Sequence, residues 1–315
     1  MAEESSAYEI YLTDISPSDK PWDVHRAAAD HVKELYQQVE YTGYANRIRE
    51  CSLQLEFVLA ARNEHEMGLK LRSARFCRVR HCPVCQGRRS LKWRAKFFQA
   101  LPKIAEGYPT VRWVFLTLTV KNCPINELRA TLKHMGDAWN RFSRLKSFSA
   151  LGWIRSVEVT RGRDGSAHPH YHCLLAVPAS YFGKGYLKQS EWTELWRQSL
   201  RVDYTPMVNV QAVKAKFQPS EANEQQAVYK AICETLKYTV KESDLVFDAK
   251  WLAELTRQLH KTRAIATGGI LKQYFSDEEM EDLINIDDEP EEMEDGEEVR
   301  LLFEWAQIRK RYRKK

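Results

Sequence analysis

The sequence predicts an α+β fold that contains an antiparallel sheet. Strand-like and helix-like segments mix along the chain without the regular β-α-β alternation that is typical of parallel sheets. Two strand-like segments, 153–161 and 168–177, are joined by a turn at 161–165 that contains Asp-Gly, which favours a hairpin. With 315 residues, of which 43% are apolar, the chain can form one large or two medium domains.

Residues 1–105 are predicted to form an N-terminal helical and metal-binding module. Residues 23–50 carry a mixture of apolar and polar side chains that is compatible with a helix ending near Gly43. Between 51 and 92 the chain combines clustered cysteines with many basic residues, which is typical of a small module held together by a metal ion. The basic residues of this segment are Arg72, Arg75, Arg78, Arg80, Arg88, Arg89 and Lys92.

Residues 106–245 are predicted to form the domain that contains the sheet. The segment 111–120 is rich in β-branched and aromatic residues and predicts a buried strand. Apolar residues recur at three- and four-residue steps in 125–145 and predict a helix. The predicted strands are 111–120, 153–161, 168–177 and 208–213, and the predicted helices are 125–145, 191–200 and 224–241.

The remaining residues divide into a helical segment and a charged end. Residues 246–276 form the C-terminal helical segment, with a helix over 249–262 followed by Gly268 and Gly269. In 277–315 an acidic stretch predicts disorder. The basic tail at 309–315 could contact DNA or fold back on the acidic residues before it.

The charge distribution indicates a polyanionic partner. The formal net charge is +5, but residues 277–298 hold fourteen Asp or Glu and no Lys or Arg, which leaves +19 for the rest of the chain. A strongly basic body suits nucleic acid, although an ordinary solvated basic surface is the alternative. We find neither a long apolar segment nor a signal-peptide pattern, so we expect a soluble, cytoplasmic protein without a membrane partner.

The cysteine pattern predicts a structural zinc site. Cys82 and Cys85 have the C-x2-C spacing that lets two thiolates bind one tetrahedral zinc ion, and Cys77 lies just upstream. The fourth ligand could be Cys51 or His81, and we favour Cys51 because His81 adjoins Cys82. The alternative is a set of buried free thiols. The isolated cysteines are expected in the core, and they are Cys123, Cys173 and Cys233.

Basic side chains surround this cysteine cluster. We predict that the metal stabilises them as a DNA-facing surface. The residues predicted to bind DNA are Arg78, Arg80, Arg88, Arg89 and Lys92.

The strand 168–177 predicts a second metal site. Side chains in a strand alternate between its faces, so the imidazoles of His170 and His172 must project to the same side of the sheet. The hairpin brings Glu158 alongside them as a third ligand, and His168 is a weaker candidate. Two imidazoles and a carboxylate leave positions open for phosphate oxygens on a divalent cation. The alternative is a pair of structural histidines.

The segment 232–241 contains candidates for nucleophile and base. In a helix, Glu234, Tyr238 and Lys241 fall at i, i+4 and i+7 and share one face. Tyr238 can attack as a phenolate, while Glu234 is placed to activate water as a general base. The alternative is that Tyr238 is one of fourteen tyrosines and packs an amphipathic helix.

These motifs, in this order, resemble those of a known family. The strand 115–119 (Phe-Leu-Thr-Leu-Thr), the segment 168–172 (His-Pro-His-Tyr-His) and Glu234-x3-Tyr238-x2-Lys241 look like the three motifs of HUH endonucleases. Cys51, Cys77, the segment 81–85 (His-Cys-Pro-Val-Cys) and the segment 88–93 (Arg-Arg-Ser-Leu-Lys-Trp) are similar to the zinc-binding start of replication initiators (Rep) of small rolling-circle plasmids. The resemblance covers residues 45–245.

The resemblance implies the HUH nuclease fold, an antiparallel sheet of about five strands with flanking helices, in 106–245. It implies that Tyr238 attacks a phosphate of single-stranded or hairpin DNA at a plasmid origin, leaving a 5′-phosphotyrosine and a 3′-hydroxyl. His170, His172 and Glu158 would bind Mg²⁺ or Mn²⁺, Glu234 would activate water for termination, and Lys241 would orient the phosphate. Host helicase and polymerase would be further partners.

Two other functions remain open on the sequence alone. One is an HUH transposase or conjugative relaxase, against which the zinc module and the Glu-x3-Tyr pairing argue. The other is a zinc-containing DNA-binding regulator without catalysis. We also hypothesise that residues 277–298 mimic DNA and restrain non-specific binding.

Overall fold

The structure, a computed structural model, describes residues 9–63, 66–214, 221–237, 240–275 and 299–315. In chain order the helices are α1 (Leu12–Ile15), α2 (Lys20–Gln38), α3 (Thr42–Arg49), α4 (Pro83–Gly107), α5 (Leu128–Phe142), α6 (Gln189–Leu200), α7 (Glu221–Thr235), α8 (Glu242–Leu245) and α9 (Ala249–Leu259). The strands are β1 (Gln54–Asn63), β2 (Glu66–Ala74), β3 (Arg112–Thr119), β4 (Gly152–Arg161), β5 (Ala167–Val177), β6 (Val208–Ala212), β7 (Ile265–Gly269), β8 (Arg300–Ala306) and β9 (Arg311–Lys314). Tyr238 and the acidic stretch 277–298 lie outside the described residues.

The chain divides into two compact units, one of residues 1–89 with 281–315 and one of residues 90–280. The sequence-based boundary at 105 therefore falls inside α4, whose residues are divided between the units at 89. Both units contain an antiparallel sheet, and the predicted α+β class is confirmed. Within the described ranges, none of the helices has the length and apolar composition needed to cross a membrane.

The first unit contains a four-stranded sheet in the order β2-β1-β8-β9. Its two outer strands on one side, β8 and β9, come from the C-terminal residues, so the basic tail is folded. Arg311 pairs with Asp14 of α1, and Arg313 pairs with Glu304 of β8 at 2.6 Å. The tail thus folds back on acidic side chains, but on those of α1 and β8.

The helix predicted within 23–50, with its end near Gly43, is α2, which ends at Gln38, and a second helix, α3, follows over Thr42–Arg49. The chain breaks between them because Glu40 adopts a left-handed conformation, with φ of 61°. The β1–β2 hairpin and α4 are elements that the sequence analysis does not predict. The hairpin has register shifts at both ends, and such irregularities blur the strict two-residue alternation that marks a strand in sequence.

The second unit contains a five-stranded sheet in the order β6-β3-β5-β4-β7. Every neighbouring pair is antiparallel, so β5 with its histidines is the central strand. The fifth strand, β7, is absent from the prediction because Gly268 and Gly269 resemble a turn. A side chain at Gly268 would collide with the Trp153 ring, and Gly269 has φ of 57°, so glycine is required where β7 meets β4.

Both faces of this sheet are covered. On one face a buried cluster joins the sheet to α4 and α7, with Phe97, Ile104, Ile154, Leu174, Ile232 and Leu236. On the other face aromatic rings of α5 and α6 pack together and on Tyr171, the side chains being Trp139, Phe142, Trp192 and Trp196. Burying such large side chains contributes roughly 1.5–3 kcal/mol each and holds β5 in place.

Candidate functional site

The strand register brings the predicted metal ligands together. Glu158 of β4 lies directly opposite His170 of β5, and His172 projects to the same face two residues on. The Nε2 atoms of His170 and His172 lie 3.0 and 2.7 Å from the same carboxylate oxygen, Glu158 Oε2. The ligand atoms of the three residues lie within 4.8 Å of one another.

The Glu158 carboxylate is buried but held in its ionised form. Only 1% of the residue is exposed. Burial raises its pKa, but hydrogen bonds from His170, His172 and Lys237 together hold that pKa well below its ordinary value. The second oxygen, Oε1, is buried and has no hydrogen-bond partner among the described residues.

The environment of His172 favours the neutral imidazole. Burial lowers its pKa, although the hydrogen bond to Glu158 acts in the opposite direction. Its other ring nitrogen, Nδ1, lies 3.3 Å from Thr117 Oγ1, and Phe115 stacks on the ring at 5.7 Å between centroids. Neutral imidazole is the form that binds a metal, so these contacts orient a ligand.

This group fits a divalent cation. Two imidazole nitrogens and one carboxylate oxygen are donors that such ions accept, and the unpartnered Oε1 of Glu158 offers a further position. His168 is outside the group, and its Nδ1 lies 2.7 Å from Asn122 Oδ1. It is the weaker candidate in the sequence as well.

One member of this site, Lys237, is not predicted from the sequence. Its Nζ lies 2.9 Å from Glu158 Oε2 and 2.6 Å from Glu234 Oε1, so the ammonium bridges two carboxylates. The i, i+3 spacing of Glu234 and Lys237 is a local signal for their ion pair. Nothing local in the sequence predicts the contact with Glu158, which lies on a strand remote in the chain.

The helix predicted over 224–241 ends at Thr235, so Glu234 and Lys241 do not share one helical face. Two serine hydroxyls end it: Ser156 donates to the Thr235 carbonyl and Ser90 donates to the Leu236 carbonyl. These bonds satisfy carbonyls that a continuing helix would otherwise satisfy.

Lys241 lies beyond the helix end and is exposed. Its carbonyl accepts from the backbone N–H groups of Asp244 and Leu245 at the start of α8. The nucleophile candidate, Tyr238, falls between these two segments and outside the described residues.

The first unit contains the second group of metal ligands. The sulfur of Cys85 lies 3.7 Å from that of Cys51 and 3.6 Å from that of Cys77, and the sulfurs of Cys82 and Cys51 are 3.7 Å apart. All four residues are buried. Hydrogen bonds from the other three thiols lower the pKa of Cys85, which favours the thiolate that binds metals.

His81, the alternative fourth ligand, is outside this group of four cysteines. It is fully buried, and neither ring nitrogen has a hydrogen-bond partner among the described residues. Burial, followed by the nearby Arg80 and Arg89, lowers its pKa to about 3. Of the three isolated cysteines, Cys123 and Cys173 are buried as expected, whereas Cys233 is half-buried.

The basic residues predicted to bind DNA differ in their exposure. Arg78 is exposed. Arg89 donates to the Arg78 carbonyl at 2.9 Å, and Arg88 lies over the Trp22 ring at 5.5 Å. Burial lowers the pKa of Arg80 to about 10. Lys92 is half-buried on α4.

Fold and sites together define an α+β protein with two groups of side chains arranged as metal ligands, one in each unit. A family model described as "Replication protein" matches residues 68–313. The chain therefore belongs to this family of replication proteins, and its predicted relationship to plasmid Rep initiators is confirmed.

Relatives of similar length support this assignment. The chain is 34% identical over 306 residues to "Protein rep" of Bacillus amyloliquefaciens, which covers 88% of this chain and 89% of the relative. It is 32% identical to "Protein rep" of Streptococcus pneumoniae serotype 2, over 93% of this chain and 92% of the relative. For "Protein rep" of Lactiplantibacillus plantarum the identity is 37%, over 89% and 91%. No solved structure matches the chain.

Proposed function

We propose that this plasmid replication initiator nicks and rejoins single-stranded or hairpin DNA at the plasmid origin, as an HUH endonuclease. The observation that carries the proposal is the convergence of His170, His172 and Glu158 on one face of the central strands. A divalent ion held there, Mn²⁺ or Mg²⁺, would polarise the scissile phosphate. The residues of the site would then orient the DNA and transfer the protons that the nicking and release steps require.

In the nicking step the phenol oxygen of Tyr238 attacks the phosphorus. A bond from this oxygen to phosphorus forms and the bond from phosphorus to the 3′-oxygen breaks. The phenol gives up its proton and the 5′ side remains attached to Tyr238 as a phosphotyrosine. The 3′-oxygen takes up a proton and becomes a free 3′-hydroxyl. Host polymerase would extend the strand from this hydroxyl while host helicase unwinds the duplex. Rejoining is the reverse transfer.

Glu234 and Lys241 would serve termination and phosphate binding. Half of the Glu234 side chain is exposed, so water can reach its carboxylate. As general base it would take the proton of a water that attacks the phosphotyrosine, which releases Tyr238 and a 5′-phosphate. The exposed ammonium of Lys241 would contact the phosphate electrostatically.

The first unit would contribute structure and DNA contacts. Cys51, Cys77, Cys82 and Cys85 form the donor set that zinc prefers in structural sites. The ion would fix the segment from which Arg78 projects toward DNA phosphates. Further contacts are proposed for the remaining basic residues of the set, which are Arg80, Arg88 and Arg89 of the first unit and Lys92 of the second.

The test is covalent capture of DNA. The full chain is incubated with a labelled single-stranded origin hairpin and Mn²⁺, and the adduct is separated on a denaturing gel. We expect an adduct with the wild type, none with Tyr238→Phe, and an adduct with the matched control Tyr229→Phe, whose ring is half exposed on α7. The proposal is contradicted if the wild type forms no adduct, which is the result that a regulator without catalysis would give. It is also contradicted if Tyr238→Phe forms an adduct.

The role of Glu234 has its own test. Glu234→Ala should still form the adduct, but water should no longer hydrolyse the phosphotyrosine bond and release the DNA. Normal release would show that Glu234 is not the base.

A further inference from the structure

The environment of Glu158 is crowded on one oxygen and bare on the other. Oε2 is contacted by His170 Nε2, His172 Nε2 and Lys237 Nζ, at 3.0, 2.7 and 2.9 Å. Oε1 is buried and has no hydrogen-bond partner among the described residues. The ammonium of Lys237 therefore shares the carboxylate with which the three-residue group would hold a divalent cation.

We propose that Lys237 is a positioning residue that competes with the divalent cation for Glu158, and that Glu234 receives the ammonium when the cation binds. The inference rests on the proposed function, because it concerns the metal centre on which that function depends. It assigns the lysine that precedes Tyr238 to control of metal affinity.

The competition follows from like charge and from the crowding of one carboxylate oxygen. A carboxylate oxygen has two lone pairs, and three donors already approach Oε2. A cation bound by Glu158, through Oε2 or through the unpartnered Oε1, repels the ammonium that lies 2.9 Å from Oε2. This repulsion favours withdrawal of Lys237 from Oε2 as the cation arrives.

Glu234 makes that withdrawal easy. Its Oε1 already lies 2.6 Å from Lys237 Nζ, so the ammonium keeps an ion-pair partner after leaving Glu158. The lysine side chain is 28% exposed and that of Glu234 is 50% exposed, which gives both room to move. A flexible four-carbon stem can make this shift without a change in the backbone.

The inference predicts opposite effects for the two partners. Lys237→Met removes the competing charge, so Mn²⁺ should bind about tenfold more tightly. Glu234→Gln removes the alternative partner and leaves the ammonium on Glu158, so Mn²⁺ should bind several-fold more weakly. In the double variant the effect of Glu234→Gln should largely disappear, because Lys237 transmits it. A lysine that only stabilised the fold would not give this pattern.

The experiment measures Mn²⁺ affinity of the full chain without DNA, from the electron paramagnetic resonance signal of free Mn²⁺. The matched control is Lys230→Met, which removes an exposed lysine of α7 and should leave the affinity unchanged. Lys237→Arg retains the charge and should retain the wild-type affinity within about threefold. Circular dichroism verifies that each variant is folded, and Lys237→Gln replaces Lys237→Met if that variant is not.

Affinity for Mn²⁺ that is unchanged or weaker in the uncharged Lys237 variant overturns the inference. If the wild type binds Mn²⁺ and forms the DNA adduct while Lys237→Met binds no more tightly, only this inference fails. If the wild type binds no Mn²⁺ at all, the metal centre of the proposed function fails, and this inference fails with it.

Discussion

The end of α7 is fastened to the sheet by the hydroxyl of Ser156, and Ser156→Ala measures what this bond contributes. Ser156 is 4% exposed and Thr235, whose carbonyl accepts the bond, is fully buried. A hydrogen bond contributes about 0.5–1.5 kcal/mol, and a buried polar group left without its donor costs about 1–3 kcal/mol. We therefore expect Ser156→Ala to lower the free energy of unfolding by about 1–3 kcal/mol.

Urea denaturation followed by far-ultraviolet circular dichroism gives the free energy of unfolding. Hydrogen exchange measured on peptides from 228–237 reports the helix end directly, and these amides should exchange faster in Ser156→Ala. The matched control is Ser190→Ala, an exposed serine of α6 that should change stability by less than about 0.5 kcal/mol. If Ser156→Ala behaves like this control in both measurements, the bond does not hold the helix end and our reasoning is refuted.

Four further changes test other parts of the structure. Cys82→Ser should lose the zinc proposed for the cysteine cluster, measured as metal content after dialysis. His81 has a pKa of about 3 against 6.5 for an ordinary histidine, so the unfolded state takes up its proton first as the pH falls. The free energy of unfolding should therefore fall by about 1 kcal/mol from pH 7 to 5.5. His81→Phe should remove this loss, measured by urea denaturation at both pH values. Gly269→Ala should lower the melting temperature, because φ is 57° and the added methyl group would meet the Leu151 carbonyl. Deleting 277–298 removes fourteen acidic residues and should raise affinity for random DNA at low salt, measured by fluorescence anisotropy.

Matched variants give each of the three substitutions a control. Cys233→Ser lies outside the cysteine cluster and should keep its zinc. His31→Phe, at an exposed position of α2, should keep the loss of stability below pH 7. Gly136→Ala adds a methyl group with nothing within 4 Å and should stabilise α5. Each prediction has one outcome that would contradict it. For Cys82→Ser this is retained zinc, and for His81→Phe it is the same loss of stability in acid as the wild type. For Gly269→Ala it is an unchanged melting temperature, and for the deletion it is an unchanged salt dependence of DNA binding.

The metal-ligand geometry was accessible from sequence because it is local. His170 and His172 share a face through the two-residue period of a strand, and a hairpin pairs successive strands, so Glu158 had to lie near them. The cysteine spacing has the same property for Cys82 and Cys85. For the fourth ligand of the cysteine cluster, the sequence leaves only a choice between Cys51 and His81.

The remaining features depend on contacts between residues far apart in the chain. Strand β8 pairs with β1 and β9 pairs with β8, and no pattern within the basic tail indicates these partners. The end of α7 depends on Ser90 and Ser156, which lie on other elements. Apolar periodicity continues past Thr235 through Leu236 and Val240, so the sequence predicts a longer helix than the structure has.

A single face of β4 links the fold to the site. Its alternate residues are Ile154, which packs in the core; Ser156, which holds the end of α7; and Glu158, which contacts both histidines and Lys237. Because side chains in a strand alternate, a register slip of one residue would move all three to the opposite face at once. The same pairing that buries the core therefore sets the distance between the metal ligands and the helix end. A substitution that loosens Ser156 should disturb Lys237 and Glu234 before it disturbs His170, because β5 is paired on both sides.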